Sequence, residues 1–363
     1  MSLLSAADET SALELLHELG CTDGLPVVIP TPDRVDRMVL ASGLPGDISL
    51  GAMGPNLGDA TVEKVAACAV MAGCLPDYMP VVMATIDAVL DPAFDLTEMQ
   101  ATTHCIAPFV IVNGPARLAC GPIASGFGAL GPGFRANASI GRALRLAMMN
   151  IGGARPGVSD MALLGHPGKF TFCMAEDEEA SPFEPLHVSR GCSANESAVT
   201  VVGTEAPHSV IFVGDADDPS APERLLRTLA MTLANVGSNN AHFGRGAAVV
   251  ILNPDHTTVL ARAGLDRAGL TKALFERATN PRALMHGLNP SMVRSAADDS
   301  DRPLRAFQSP DDILVIAGGG SGLYSMVVPS WGAGPHANPA VTKRIDLNQA
   351  CEVPAVGRKL LTQ

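Results

Sequence analysis

GAAVVILNPD, residues 246–255, decides how the chain is read, because GLPVVIPTPD at residues 24–33 resembles it closely. Gly, two Val, Ile, Pro and Asp coincide at six of the ten positions. The apolar run predicts a short buried strand in each copy. The Pro-Asp after it predicts a helix opened by an acid in its first turn, where the helix dipole favours negative charge. A helix is expected before each copy, at 7–19 (ADETSALELLHEL) and at 222–236 (PERLLRTLAMTLANV). Further on, AVTVVGTEAPHSVIFVG (198–214) and DILVIAGGGSGLYSMVV (312–328) share the order strand, Gly, short loop, Ser, strand. These parallels predict an α/β protein of two similar lobes, a weak internal duplication. The first lobe is expected over residues 1–214, with a loop-rich insertion at about 95–197, and the second over 215–363. The competing explanation is that helix, strand, Pro-Asp, helix is common in α/β chains.

Other elements follow from periodicity. Residues 59–73 and 77–90 predict helices, the first capped by Asp59 or Thr61 and the second with Pro80 in its first turn. FVIVNG (109–114) reads as a buried strand, and a helix is expected from about Ala136 to Asn150.

Composition sets limits. The chain has 363 residues, 47% of them hydrophobic but only 4% aromatic, so small apolar side chains must fill a sizeable core. The net charge of −12, with no basic cluster, argues against a nucleic-acid surface. No apolar run reaches the ~18 residues of a membrane span, and the acidic start does not have the pattern of a signal peptide. A cytoplasmic protein is therefore expected. The eight cysteines (21, 68, 74, 105, 120, 173, 192 and 351) contain no CxxC and read as free thiols.

The unusual chemistry falls within the expected insertion. GHPGKFTFCMAEDEEASPFEPLHVSR (165–190) holds two His, a Lys, a Cys and a run of acids. KFTFCMA alternates like a strand with Lys169 and Cys173 on one face. Glu176 or Glu179, turned inward and paired with His187, is the expected acid/base set, with Asp177 and Glu178 left in solvent. His104 and Cys173 are further catalytic candidates. In the Gly-rich run 121–145, Gly131 and Gly133 precede a helix, and Arg135 and Asn137 stand where they could complete an anion site with Lys169. The run matches neither GxGxxG after a strand nor GxxxxGK[ST]. The bland alternatives are a glycine turn for the first feature and a wet acidic loop for the second. His166, His208, Ser209, Tyr324, Ser325, His242 and Arg245 are isolated polar residues, more often structural than functional. No cofactor is named by any motif; a metal on the Glu, His and Cys set is an alternative, although its spacing matches no strong metal motif.

The phrases CTDGLPVVIPTPDRVDRMV, GFRANASIGRALRLAMMNIGGARPG, GKFTFCMAEDEEASPFEPLHVSRG and DDILVIAGGGSGLYSMVVPSWG, with others between, resemble a bacterial family of uncharacterised proteins associated with UGSC-type (seleno)proteins. The resemblance spans most of the chain. It implies no catalytic residues, but it does imply a small UGSC-type partner protein. The selenocysteine motif itself has no counterpart here; Gly191-Cys192-Ser193 is a fragment of it.

The expected function is a small-molecule enzyme of lyase or hydratase type acting on an anionic substrate, with homo-oligomerisation through Met-rich helices. The alternatives are metal- or thiol-dependent redox chemistry using Cys173 and His187, and a non-catalytic binding subunit of a larger enzyme.

Overall fold

The computed structural model describes residues 4–215, 217–291 and 302–347. Cys351 and the end of the expected second lobe lie outside the described residues. In chain order the strands are β1 (Ser49–Met53), β2 (Gly58–Thr61), β3 (Ala107–Asn113), β4 (Cys173–Ala175), β5 (Ser197–Thr204), β6 (His208–Ile211), β7 (Ala248–Leu252), β8 (Thr279–Asn280), β9 (Leu304–Arg305), β10 (Ile313–Ala317), β11 (Tyr324–Val328) and β12 (Val341–Ile345). The fold is α/β. β1–β2 and β8–β9 are small antiparallel pairs. The other strands form two four-stranded sheets.

The first sheet runs β12–β5–β3–β4 and the second β10–β7–β11–β6. Both repeat one pattern of directions. β3 is parallel to β4 and antiparallel to β5, which is antiparallel to β12. β7 is parallel to β10 and antiparallel to β11, which is antiparallel to β6. The fourth strands are exchanged: β6 follows β5 in the chain yet joins the second sheet, and β12 follows β11 yet joins the first. Sheet membership therefore does not divide at residue 214.

Side-chain alternation explains how the sheets pack. Successive residues of a strand face opposite ways, and every residue of β3 is buried. Ala107, Phe109 and Ile111 meet Val249, Ile251, Leu314 and Ile316 in a core between the two sheets. Val110 and Val112 face the other way, into a core shared with helices Val62–Ala72, Met79–Leu90 and Arg135–Asn150. Ala248, Val250, Ile313 and Val315 likewise face helices Ala221–Leu233, Pro254–Arg262 and Arg267–Arg277. The layers are helices, sheet, sheet, helices. Phe109 stacks on Phe172 with ring centroids 4.2 Å apart. Among the described residues no helix is long and apolar enough to cross a membrane.

Several expected elements form as read. Helix Pro32–Ser42 starts with Pro at its first turn, and Thr61 caps helix Val62–Ala72 by accepting from the Lys64 amide. Others do not. GLPVVIP makes no strand. Pro26 and Pro30 carry no N–H, and the Val28 amide goes to the Met71 carbonyl, so no ladder can form. The apparent twin of 246–255 is thus built differently from it. The second pair of similar stretches also diverges: β5 and β6 lie in different sheets, whereas β10 and β11 flank β7 in one. His208 and Ser209 are accordingly register neighbours of Val327 and Met326. Residues 95–197 supply β3, β4 and helix Arg135–Asn150.

Candidate functional site

In open α/β sheets ligand chemistry gathers at the C-terminal ends of parallel strands. Here β3 and β4 end side by side at Asn113 and Ala175. Asn113 is followed by Gly114, whose φ of 77° suits glycine; a side chain there would strike the Glu196 carbonyl. The turn lets Pro115 start the short helix Ala116–Ala119, which carries Arg117. From the end of β4 come Glu176, Asp177, Glu178 and Glu179, and the chain returns through Glu184 to helix Leu186–Ser189, which carries His187.

These side chains form one buried ionic network. The Glu176 carboxylate is fully buried and accepts from Asn113 Nδ2 at 2.6 Å, the Leu186 amide at 2.7 Å and Arg267 Nη2 at 2.7 Å. Arg267 opens helix Arg267–Arg277 and also donates to the Glu184 carbonyl, so the second half of the chain holds the acidic loop in place. Asn113 Nδ2 donates a second bond, 2.9 Å, to Glu178 Oε1, which also accepts from the Gly114 amide at 2.7 Å. Glu178 Oε2 lies 3.1 Å from Arg117 Nη2. His187 Nδ1 lies 3.9 Å from Glu178 Oε1.

His187 is fully buried, and neither ring nitrogen has a partner; Asn113 Oδ1 and Arg267 Nη1 are likewise buried and unpartnered. Buried polar groups are normally satisfied, so orphaned atoms gathered on one network single it out as the candidate site. Three carboxylates (Glu176, Glu178, Glu179) face two guanidiniums (Arg117, Arg267), which leaves one negative charge.

The expected roles shift accordingly. Glu176 is held by three donors, none of them His187, and Glu179 is on the surface, 68% exposed. Arg117 grips both Glu179 oxygens and holds its carboxyl down at about 2. The neighbour of His187 is Glu178, 13% exposed, where a solvated acid was expected.

The remaining candidates lie elsewhere. His104 and Lys169 sit at the opposite end of β3, and a seven-residue strand separates the ends by roughly 20 Å. There His104 Nε2 lies 3.1 Å from Glu205 and Nδ1 meets Asn239. Lys169 is in a 3-10 turn, not a strand, and pairs with Asp160 at 2.8 Å, as Arg145 does at 2.9 Å. Burial pushes the Lys169 amine below its usual range. Burial opposes the Asp160 charge, yet its two cations hold that carboxyl low. A cavity of about 10 Å³ beside Lys169 and Arg145 has room for about one water. Cys173 does not share a face with Lys169; it lies in the helix-side core, where burial raises its thiol far above the usual range and disfavours the reactive thiolate. Among the described residues no group of three His, Cys, Asp or Glu is placed to hold a metal.

The Gly-rich loop is closed by its own side chains. Asn137 is buried, with its oxygen on the Ala124 amide and its nitrogen on the Ala124 and Ala129 carbonyls. Arg135 reaches the Gly73 carbonyl, at the end of helix Val62–Ala72, through two nitrogens. Gly131 and Gly133 take φ of 105° and 115°, in open space. Both side chains thus serve the fold.

Asn113, Arg117 and Arg267 were missed in the sequence. Arg117 left one signal, a cation just beyond the end of a buried strand. Arg267 left none, since it is far from the acidic run in sequence. No protein-family model, curated protein or solved structure matches the chain.

Proposed function

We propose that the chain is an enzyme that moves protons on a small anionic substrate, in a reaction of the lyase or hydratase type, with Glu178 and His187 as the proton-handling pair. The observation that carries this reading is the His187 imidazole. It is fully buried with both nitrogens unpartnered, and Nδ1 lies 3.9 Å from a carboxylate that is itself oriented by Asn113, Gly114 and Arg117. An acid/base residue needs this combination of a fixed neighbour and a free lone pair or proton. Glu176 is the positioning residue: through Asn113, the Leu186 amide and Arg267 it sets the distance between the two.

A proton NMR screen of small hydroxy- and unsaturated carboxylates for gain or loss of water tests the reading. With the substrate found, His187→Gln and Glu178→Gln should each lower turnover about 10²-fold or more while the melting temperature shows the fold retained. Unchanged rates in both variants would overturn the assignment.

A further inference from the structure

We propose that the outward face of Arg117 is a binding site for the carboxylate of a small ligand, and that Glu179 occupies this site until the ligand displaces it. The proposal rests on the acid–base reading above and deepens it by assigning a seat for the substrate's anionic group.

Arg117 is held from behind by the backbone. Its Nε donates to the Gly114 carbonyl at 3.1 Å and its Nη1 to the Glu176 carbonyl at 3.3 Å. These bonds fix the plane of the guanidinium without help from Glu179. What remains is the outward fork, Nη1 and Nη2, and Glu179 fills it with both oxygens at 2.7 and 2.8 Å. The Arg117 side chain is only 10% exposed and that of Glu179 is 68% exposed, so the carboxylate lies between the guanidinium and solvent. Glu179 belongs to a turn, outside any helix or strand, and can swing away without disturbing the core.

Chemistry selects the occupant. A guanidinium fork matches a planar carboxylate bidentately. Exchanging Glu179 for one monoanion keeps the charge of the network, whereas a dianion would add repulsion from Glu176 and Glu178 nearby. The ligand's carboxylate would share Nη2 with Glu178, whose Oε2 lies 3.1 Å from the same nitrogen.

Calorimetric titration with propionate, a mimic of the Glu179 side chain, is the test. The wild type should bind propionate weakly, and Glu179→Ala should bind it about twofold to fivefold tighter, the range expected when an exposed ion pair stops competing. Adding Arg117→Lys should abolish the gain, and inorganic phosphate should gain nothing from Glu179→Ala. Equal propionate affinity in wild type and Glu179→Ala overturns the proposal. So does a gain that persists with Arg117→Lys, or a larger gain for phosphate. Should the double variant not fold, NMR contacts between labelled propionate and the Arg117 guanidinium in Glu179→Ala decide the matter, and their absence overturns it. Propionate binding is read without turnover, so this result is separate from the fate of the Glu178–His187 reading.

Discussion

The chain leaves β3 through Asn113 and leaves β7 through Asn253, at corresponding places in two sheets with the same pattern of strand directions. Around Asn253 the hydrogen bonds join neutral groups and are satisfied. Its nitrogen donates to the Gly322 and Tyr324 carbonyls, and its oxygen caps helix Pro254–Arg262 at the His256 amide. His256 Nδ1 meets Ser325 Oγ at 2.7 Å, and Nε2 lies 3.4 Å from the Phe212 carbonyl. Around Asn113 the amide bridges two carboxylates, two arginines close the ring, and a buried histidine makes no hydrogen bond. One strand end uses polar groups to fix a turn. The other accumulates charge and leaves atoms unpaired, at a cost in stability that a purely structural role would not require.

The contrast can be broken at its strongest point first. Arg267→Met should cost about 3–5 kcal/mol in urea unfolding, because it leaves the Glu176 carboxylate buried without its cation. Adding Glu176→Gln should recover much of that loss; no recovery would mean that the pair is not the source. At the neutral end, Asn253→Ala should cost about 1–2 kcal/mol, the value of a helix cap. A loss there as large as that for Arg267 would erase the distinction.

Acid sharpens the comparison further. Burial holds the His256 imidazole below its usual range. Its folded pKa is depressed, so the unfolded chain takes up a proton first. Stability from this site is complete above the unfolded value, about 6.5, and is lost as pH falls from there toward the folded value. Urea midpoints at pH 7.5 and 5.5 should show that loss, and His256→Gln should remove its share of the slope.

The smallest effect belongs to Glu179. Its carboxyl is held at about 2, so the contribution of its ion pair is present above about 4.5 and fades as pH falls through the folded value. Because the group is exposed and screened by solvent, Glu179→Gln should cost no more than about 1 kcal/mol at neutral pH. A larger loss would make it structural.

Much of the scaffold was legible in the sequence because its signals are local. The 3.6-residue spacing, a cap at Asp59 or Thr61, Asp33 in one first turn and Pro80 in another marked helices, and unbroken apolar runs marked β3 and β7. Val-Val-Ile at 27–29 misled because a strand also needs donors and a neighbouring ladder, and two prolines removed the first. The exchange of β6 and β12 between sheets left no mark in either strand. At the site, the acidic run and His187 stood out, but the choice among four consecutive acids depends on a turn that aims Glu178 inward and Glu179 outward. Arg267, which selects Glu176 as the locked member, lies on a helix packed against the other sheet.

Proton transfer by His187 and Glu178, as proposed, is read directly by hydrogen–deuterium exchange into a turned-over carboxylate. In heavy water the wild type should place deuterium at one carbon position of the substrate, and His187→Gln and Glu178→Gln should slow that exchange by about 10²-fold or more. Exchange at the wild-type rate in both folded variants, or turnover with no deuterium incorporated, would contradict it.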